Sequence, residues 1–251
     1  MKKIMTLAAM FAAVMMSFSA CNPDDTKPQD KPGTEQGGNE DEGKEDEYVS
    51  PITIDGEFAD WDALDASKVA TATCATDAKL TALKSVKVYA DAMFINILIE
   101  VDADQIVASC PIDIYFNADN SANTAANNWT NQGGQDCLLE GGYFDGTAVS
   151  SFDPGCYPYT GAEDVVEWAW DVENPLIAEG SGLASGAGTV AKYELAIMTE
   201  MLAGVVDLAD TFAMGITVSQ DWEPVGLLPN ADVTEDNTNG AAPFLTVTIN
   251  K

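Results

Sequence analysis

The sequence contains no histidine and no arginine, so lysine supplies every positive side chain. Without histidine, Ser–His or Cys–His catalysis and imidazole-bound zinc or haem are excluded. Without arginine the chain has no bidentate grip on phosphate, and we expect no bound nucleotide. Acidic residues outnumber lysines by 41 to 11, which gives a formal net charge of −30. Since nucleic-acid binding depends on neutralised phosphates, we expect neutral molecules or cations as partners and no nucleic acid.

The first 20 residues have the pattern of an export signal. Lysines precede an apolar run, residues 4–16, that is too short to span a bilayer comfortably. Ser19 and Ala20 stand directly before Cys21 and resemble the lipobox of bacterial lipoproteins, with Phe18 where that pattern usually has leucine. The resemblance implies a signal peptide over residues 1–20 and a membrane anchor on a lipid-bearing Cys21. The alternative is an ordinary secreted protein in which Cys21 is incidental.

Residues 21–47 are rich in proline, glycine and acidic side chains and offer almost nothing to bury. Such a composition predicts a disordered linker. Asp24 and Asp25, soon after Cys21, resemble the surface-export signal of Bacteroidetes lipoproteins. That resemblance implies that residues 48–251 form a domain held at the outer membrane and facing the cell exterior.

Alternating apolar and polar residues recur along the predicted domain and are typical of β-strands. Residues 85–91 and 94–101 predict a hairpin, and residues 112–117 predict the next strand. Further strands are expected at 52–54, 165–170, 193–197, 212–219 and 244–249, and a short helix at 199–206. We therefore predict an all-β fold, a two-sheet antiparallel β-sandwich of jelly-roll type with long loops and little helix.

The order of these motifs resembles the family 9 carbohydrate-binding modules and their relatives with a DOMON-like sandwich. An isoleucine-rich opening leads to Asp55-Gly56 and then Asp60-Trp61, and Tyr193-Glu194 stands in a late strand before Ile197. The likeness extends over residues 51–251. It implies a non-catalytic domain that binds a polysaccharide or oligosaccharide, with Trp61 in the core. Haem, known in some DOMON-like domains, is not expected in a chain without histidine.

Several aromatic residues fall in predicted loops or strand ends beside polar partners. Neutral sugars stack their C–H faces on such rings, while neighbouring polar groups bind the hydroxyls. Trp168 and Trp170 share one face of a predicted strand and could form either a platform or part of the core. The residues expected to bind a glycan are Trp129, Trp222, Tyr143, Tyr157 and Tyr159.

The loop after residue 117 is crowded with Asp and Asn. Calcium needs six to eight oxygen ligands, which carboxylates and amides supply. Asn117, Asp119, Asn123 and Asp136 are the predicted ligands of a structural calcium, and Glu140 is an alternative to Asp136. Related sandwiches often hold such an ion. The competing interpretation is a solvated turn whose side chains cap their own backbone.

Four cysteines remain besides the one at the predicted lipid site, an even number that suggests disulfides in an exported protein. Cys137 with Cys156 is the most local of the possible pairings and would stabilise the domain by about 3 kcal/mol. Cys74 and Cys110 would then form a second pair or remain free thiols.

Carboxylates are so abundant that a glycosidase-like pair is expected by chance, and we predict that the protein is not an enzyme. The predicted function is a cell-surface lipoprotein that binds a neutral glycan. The alternative is a structural or adhesion component of the envelope that contacts another protein, such as an outer-membrane protein. Exposure of Trp129 and Trp222 on one rim would favour the glycan, whereas an exposed strand edge or apolar patch would favour a partner protein.

Overall fold

The structure is a computed structural model that describes residues 48–105, 111–121, 124–127, 133–142, 155–163, 165–170, 174–175, 178–184, 190–229 and 244–251. These residues belong to one compact unit, Tyr48–Lys251. Within them, no helix combines the length and the hydropathy needed to cross a membrane. The predicted signal peptide, Cys21 and the linker lie outside the described residues.

Strands dominate the described chain, because most of its segments alternate apolar and polar side chains with a period of two. Two short helices, α1 (Ala59–Ala63) and α2 (Thr199–Ala203), and a 3₁₀ turn, Ala66–Lys68, accompany them. The strands are β1 (Ala70–Thr73), β2 (Leu83–Asp91), β3 (Phe94–Asp102), β4 (Pro111–Asn117), β5 (Ala126–Asn127), β6 (Cys137–Gly142), β7 (Gly155–Pro158), β8 (Val165–Val166), β9 (Asn174–Pro175), β10 (Ala178–Ala184), β11 (Val190–Met198), β12 (Thr211–Gln220), β13 (Glu223–Leu228) and β14 (Leu245–Asn250).

Twelve of these strands form one curled sheet in the order β10-β11-β3-β2-β14-β12-β4-β6-β7-β9, with β1 paired to β2 and β13 paired to β12. Strand β14 joins two halves, since it pairs in parallel with β2 and antiparallel with β12. We call β1, β2, β3, β10 and β11 the β3 half. The β4 half consists of β4, β6, β7, β9, β12 and β13. Strands β5 and β8 form a separate parallel pair.

The two halves contribute their inward faces to one apolar core. Ile97 of β3 and Leu195 of β11 belong to the same buried cluster as Ile114 of β4 and Ile216 of β12. The predicted all-β fold with little helix is confirmed. The division into two separate sheets is not, because β14 hydrogen-bonds to both halves and makes the described strands of the core continuous.

Most predicted strands are confirmed, and the exceptions occur where the period was short. The hairpin forms as β2 and β3, and the helix prediction for residues 199–206 shortens to α2. The predicted strand at residues 52–54 is wrong, since these residues pair with no strand. The predicted strand at residues 165–170 reduces to β8 and a single bridge from Trp170 to Tyr159.

Residues 52–61 instead cover the outer face of the β3 half. Trp61 of α1 is 3% exposed and packs in a small cluster with Tyr89 and Leu98. Glu194 of β11 is fully buried beneath them, and its Oε1 accepts hydrogen bonds from the backbone N–H of Asp55 at 3.0 Å and of Gly56 at 2.7 Å. Its Oε2 accepts the indole N–H of Trp61 at 3.0 Å. The Asp55-Gly56 turn and Trp61 are therefore held against the outer face of the β3 half by their hydrogen bonds to Glu194.

Candidate functional site

The outer face of the β4 half carries polar and aromatic side chains. Asp113, Tyr115 and Asn117 alternate along β4 with the core residues, so they point away from the core. All three are nevertheless buried, at 7%, 0% and 3% exposure. The alternation along residues 112–117 predicts that they face away from the core. The structure agrees with that direction but shows that this outer face is buried as well.

Aromatic rings form a connected cluster over this face. Trp170 lies at its centre, with ring centroids 6.1 Å from Tyr115 and 5.4 Å from Tyr159. Trp168 meets Trp170 edge-to-face at 6.0 Å. Because such contacts favour defined ring orientations, the cluster holds Trp168 in place although that side chain is 64% exposed. We call Tyr115, Tyr159, Trp168 and Trp170 the aromatic cluster.

Glu167 fixes the outer edge of the aromatic cluster. Its Oε1 accepts the Tyr159 hydroxyl at 3.0 Å and the backbone N–H of Ala162 at 2.7 Å. Desolvation and then this hydrogen bond raise the pKa of Tyr159 to about 12, so the phenol stays protonated. The Glu167 carboxylate is therefore held at the Tyr159 edge of the aromatic cluster, and Trp168 is the next residue in the chain. An exposed aromatic ring and a carboxylate are the groups that a sugar ring with hydroxyl groups requires.

Tyr157 and Trp222, both predicted to bind a glycan, lie at different places on the β4 half. Tyr157 shares the outer face with the aromatic cluster, since it pairs with Leu138, which in turn pairs with Tyr115. Tyr157 is half-buried on β7 and folds its ring back over Gly155, where a Cβ would collide with it. Trp222 is 84% exposed in the two-residue turn between β12 and β13. By register this turn lies at the end of the sheet where β4 begins, whereas Tyr159 follows β7 at the end where β4 finishes.

The turn that carries Trp222 has an unusual backbone. Asp221 and Trp222 have φ angles of 52° and 69°, in the left-handed region that glycine and asparagine favour. An exposed tryptophan contributes little packing to offset this cost. Positive φ at both central residues is what a type I′ two-residue hairpin loop requires, so the turn closes the β12–β13 hairpin and leaves the indole in solvent.

Three oxygen-bearing side chains form a row across the same outer face, two residues along β4 from Tyr115 of the aromatic cluster. Asp113 of β4 stands directly opposite Thr217 of β12 on one side and Glu140 of β6 on the other. Burial, and then repulsion from Glu140, raises the pKa of Asp113 to about 7. The Tyr115 hydroxyl reaches Asp113 Oδ2 at 3.5 Å, the limit of a hydrogen bond. We call Asp113, Glu140 and Thr217 the oxygen row.

The predicted calcium ligands lie where β4 ends, and loop donors engage their carboxylates. Asp136 Oδ2 accepts the backbone N–H of Ala118 at 2.7 Å, and Asp119 Oδ1 accepts that of Ser121 at 2.8 Å. Asn117 donates its amide to the carbonyl oxygens of Ser121, at 3.0 Å, and Gly133, at 3.3 Å. Burial raises the pKa of Asp136, and the neighbouring Asp119 raises it further.

These contacts are those of a self-capped turn, the competing interpretation. Among the described residues, no group of three or more Asp, Glu, Cys or His side chains gathers as a metal site. Asn123 lies outside the described residues, so the loop calcium stays a prediction.

The predicted cysteine pair lies on two neighbouring strands. Cys137 of β6 and Cys156 of β7 are both buried and face the core. They are diagonal neighbours on adjacent strands, since Cys137 pairs with Pro158 and Leu139 pairs with Cys156. Both are thiols in the structure. Contact with the Cys156 thiol, together with burial, raises the pKa of Cys137. Cys74 is a partly exposed thiol on another strand connection, and Cys110 lies outside the described residues.

Two of the predicted glycan ligands, Trp129 and Tyr143, also lie outside the described residues. Sequence reasoning missed the oxygen row, because Asp113 read as the solvent side of an amphipathic strand and Thr217 as an ordinary strand residue. It left open whether Trp168 and Trp170 form a platform or part of the core. In the structure Trp170 is half-buried at the centre of the aromatic cluster and Trp168 is exposed at its margin. The signal that was available is Asp113 two residues before Tyr115, on one face of a strand whose other face is apolar.

The chain was also compared with known proteins. It matches no protein-family model, and a search of the curated proteins finds no match.

Proposed function

We propose that the protein is a surface lipoprotein that binds a neutral polysaccharide or oligosaccharide through the outer face of its β4 half. The observation that carries the proposal is the exposed ring of Trp168, which meets Trp170 edge-to-face in a cluster whose Tyr159 hydrogen-bonds to the Glu167 carboxylate. A ring fixed before binding loses little conformational entropy when a sugar stacks on it. The neighbouring carboxylate can accept hydrogen bonds from the sugar hydroxyls.

The charge of the chain supports a neutral ligand. With 41 acidic residues against 11 lysines, anionic polysaccharides would be repelled. Four of the six described lysines form ion pairs with carboxylates, as in Lys84–Asp102 and Lys192–Glu100. Trp222 is a second contact in this proposal, at the other end of the same sheet half.

Titration of the full chain in detergent against neutral plant and host oligosaccharides, followed by isothermal calorimetry, tests the proposal. We expect Trp168→Ala to weaken binding by about tenfold or more, because the stacking surface is lost. Trp222→Gly removes an indole from a turn that glycine favours, so any loss of affinity reports the ring and not the turn. Met93→Ala, which removes an exposed side chain from the β2–β3 turn, is the matched control and should bind normally.

Unchanged affinity in both tryptophan variants, or silence with every neutral glycan, would contradict the proposal. The anchor is tested separately, since Cys21→Ala should release the chain from the outer membrane and leave glycan affinity unchanged. Calcium at the loop of Asp119 and Asp136 belongs to the same proposal as a structural ion. Removing it with a chelator should then lower stability more than affinity.

Contact with another protein is the second candidate function. Strand β10 ends the order of the described strands, so one backbone edge is available for pairing. Edge strands are templates on which a partner can add a strand. Photo-crosslinkers placed along β10 that join the chain to an outer-membrane protein in intact cells, together with silence in the glycan titration, would favour this function.

A further inference from the structure

The oxygen row lies across three neighbouring strands of the β4 half. Thr217 pairs with Asp113, and Asp113 pairs with Glu140, so all three side chains point to the same outer face. Directly opposite residues in antiparallel strands have Cβ atoms about 5 Å apart. The carboxylate of Asp113 therefore lies between a hydroxyl group and a second carboxylate.

Two oxygens of the row have no hydrogen-bond partner in the part of the chain that the structure describes. They are Oδ1 of Asp113, whose side chain is 7% exposed, and Oγ1 of Thr217, which is fully buried. An orphaned buried polar group costs about 1 to 3 kcal/mol, and a buried carboxylate facing another carboxylate costs more. Native proteins leave few such groups, so two of them on directly opposite residues point to a bound water or ion that completes both.

The chemistry of the row selects that species. The row offers carboxylate and hydroxyl oxygens and no nitrogen, and Tyr115 brings a further hydroxyl to Asp113 Oδ2. The described lysines that form ion pairs do so with other carboxylates, such as Asp102 and Glu100. Hard cations prefer all-oxygen sites, and Ca²⁺ accepts an irregular set of protein ligands, whereas Mg²⁺ demands a near-ideal octahedron.

We propose that Asp113, Glu140 and Thr217 form a Ca²⁺ site on the outer face of the β4 half, distinct from the Asp-rich loop. The cation neutralises the two facing carboxylates and gives both orphaned oxygens a partner. It also ties β12, β4 and β6 together across this outer face. This site does not depend on glycan binding.

The experiment uses the full chain, stripped with a chelator and then titrated with Ca²⁺ by calorimetry. We expect a dissociation constant on the order of 10⁻⁴ to 10⁻³ M, the range of extracellular sites. Asp113→Asn and Glu140→Gln should each weaken binding by about tenfold or more, and the isosteric Thr217→Val by less. Glu57→Gln, which removes one exposed carboxylate from the other half, should bind Ca²⁺ normally.

Terbium gives a second readout, because its luminescence requires a nearby aromatic donor. Trp170 contacts Tyr115, whose hydroxyl reaches Asp113, so Tb³⁺ in the oxygen row should luminesce when tryptophan is excited. Added Ca²⁺ should quench that emission by displacement.

Three results would overturn the proposal. One is the absence of Ca²⁺ binding to the stripped chain. Another is binding that survives in all three row variants, and the third is binding lost in Asp119→Asn but kept in Glu140→Gln, which would move the ion to the loop. If Asp113→Asn does not fold, Thr217→Val and Glu140→Gln decide the question.

Discussion

The two outer faces of the sheet treat their buried carboxyl groups in opposite ways. On the β3 half, Glu194 is fully buried and its two oxygens accept three N–H donors from residues 55–61. On the β4 half, Asp113 is almost as buried, yet its Oδ1 has no partner within the described ranges. Desolvation is costly in both places and raises the pKa of both carboxyl groups, but among the described residues only Glu194 has N–H donors on both of its oxygens. The buried carboxylate of the β3 half therefore holds residues 55–61 in place, whereas that of the β4 half is where we propose a cation.

The largest change in the free energy of unfolding is expected from removing the Glu194 carboxylate on the β3 half. Glu194→Ala leaves the Trp61 indole and two backbone N–H groups buried without an acceptor, so the free energy of unfolding should fall by about 3 to 5 kcal/mol. Urea denaturation measures it. Glu194→Gln keeps one acceptor oxygen and should lose less.

Glu100→Gln is the matched control on the same half, since Glu100 pairs with Lys192 at a partly exposed site. It should cost about 1 kcal/mol or less. An equal loss in Glu194→Ala and Glu100→Gln would remove the contrast between the two faces.

Oxidation of Cys137 and Cys156 to a disulfide should stabilise the protein by slightly less than Glu194→Ala destabilises it. A disulfide between Cys137 and Cys156 would link β6 to β7 and raise the free energy of unfolding by about 3 kcal/mol through loop closure. Urea curves with and without reductant should differ by that amount in the parent chain and coincide in Cys137→Ser. Cys74→Ser is the control that should preserve the difference. Intact mass after alkylation without reductant would contradict the pairing if both thiols were labelled.

A third prediction concerns the pH dependence of the β4 half. Because the pKa of Asp113 is raised to about 7 in the folded state, its contribution to stability is complete below its unfolded pKa and is lost as pH rises toward and through 7. In chelator, Asp113→Asn should therefore become more stable than the parent at pH 8, by about 2 kcal/mol. This stability gain of Asp113→Asn is smaller than the whole rise in the folded-state pKa of Asp113 would give. The many negative charges of the chain also raise the pKa of that carboxyl group in the unfolded state.

The two stability curves should converge below about pH 3, where Asp113 is protonated in both states. A constant difference across the pH range would mean that Asp113 is not the group that titrates. Saturating Ca²⁺ should remove the advantage of Asp113→Asn, since the bound cation compensates the carboxylate.

The strands were predictable because period-two alternation is a local property of the chain. Residues 85–101 formed the predicted hairpin, and residues 112–117 and 193–197 lie in β4 and β11. The same alternation failed at residues 52–54, where two isoleucines are too few to outweigh the contacts that Glu194 makes with the following residues. Short patterns lose to tertiary contacts.

The candidate site was predictable only in part. Tyr159 and Trp222 were both expected to bind a glycan. Tyr159 belongs to the aromatic cluster and Trp222 is exposed in a hairpin turn, and glycan binding by either stays a prediction. The oxygen row was not foreseen. Its members are far apart in the chain, at positions 113, 140 and 217, and only the register of β6, β4 and β12 makes them neighbours.

The sequence by itself determined the composition limits, the all-β class and the separation of polar from apolar strand faces, since each follows from residue type or local period. Only the tertiary structure decided that β14 closes two halves into one curled sheet and that the polar face of β4 is covered. It also decided which buried carboxyl group found partners, Glu194 or Asp113. Burial and partnership depend on segments distant in sequence, and no local pattern encodes them.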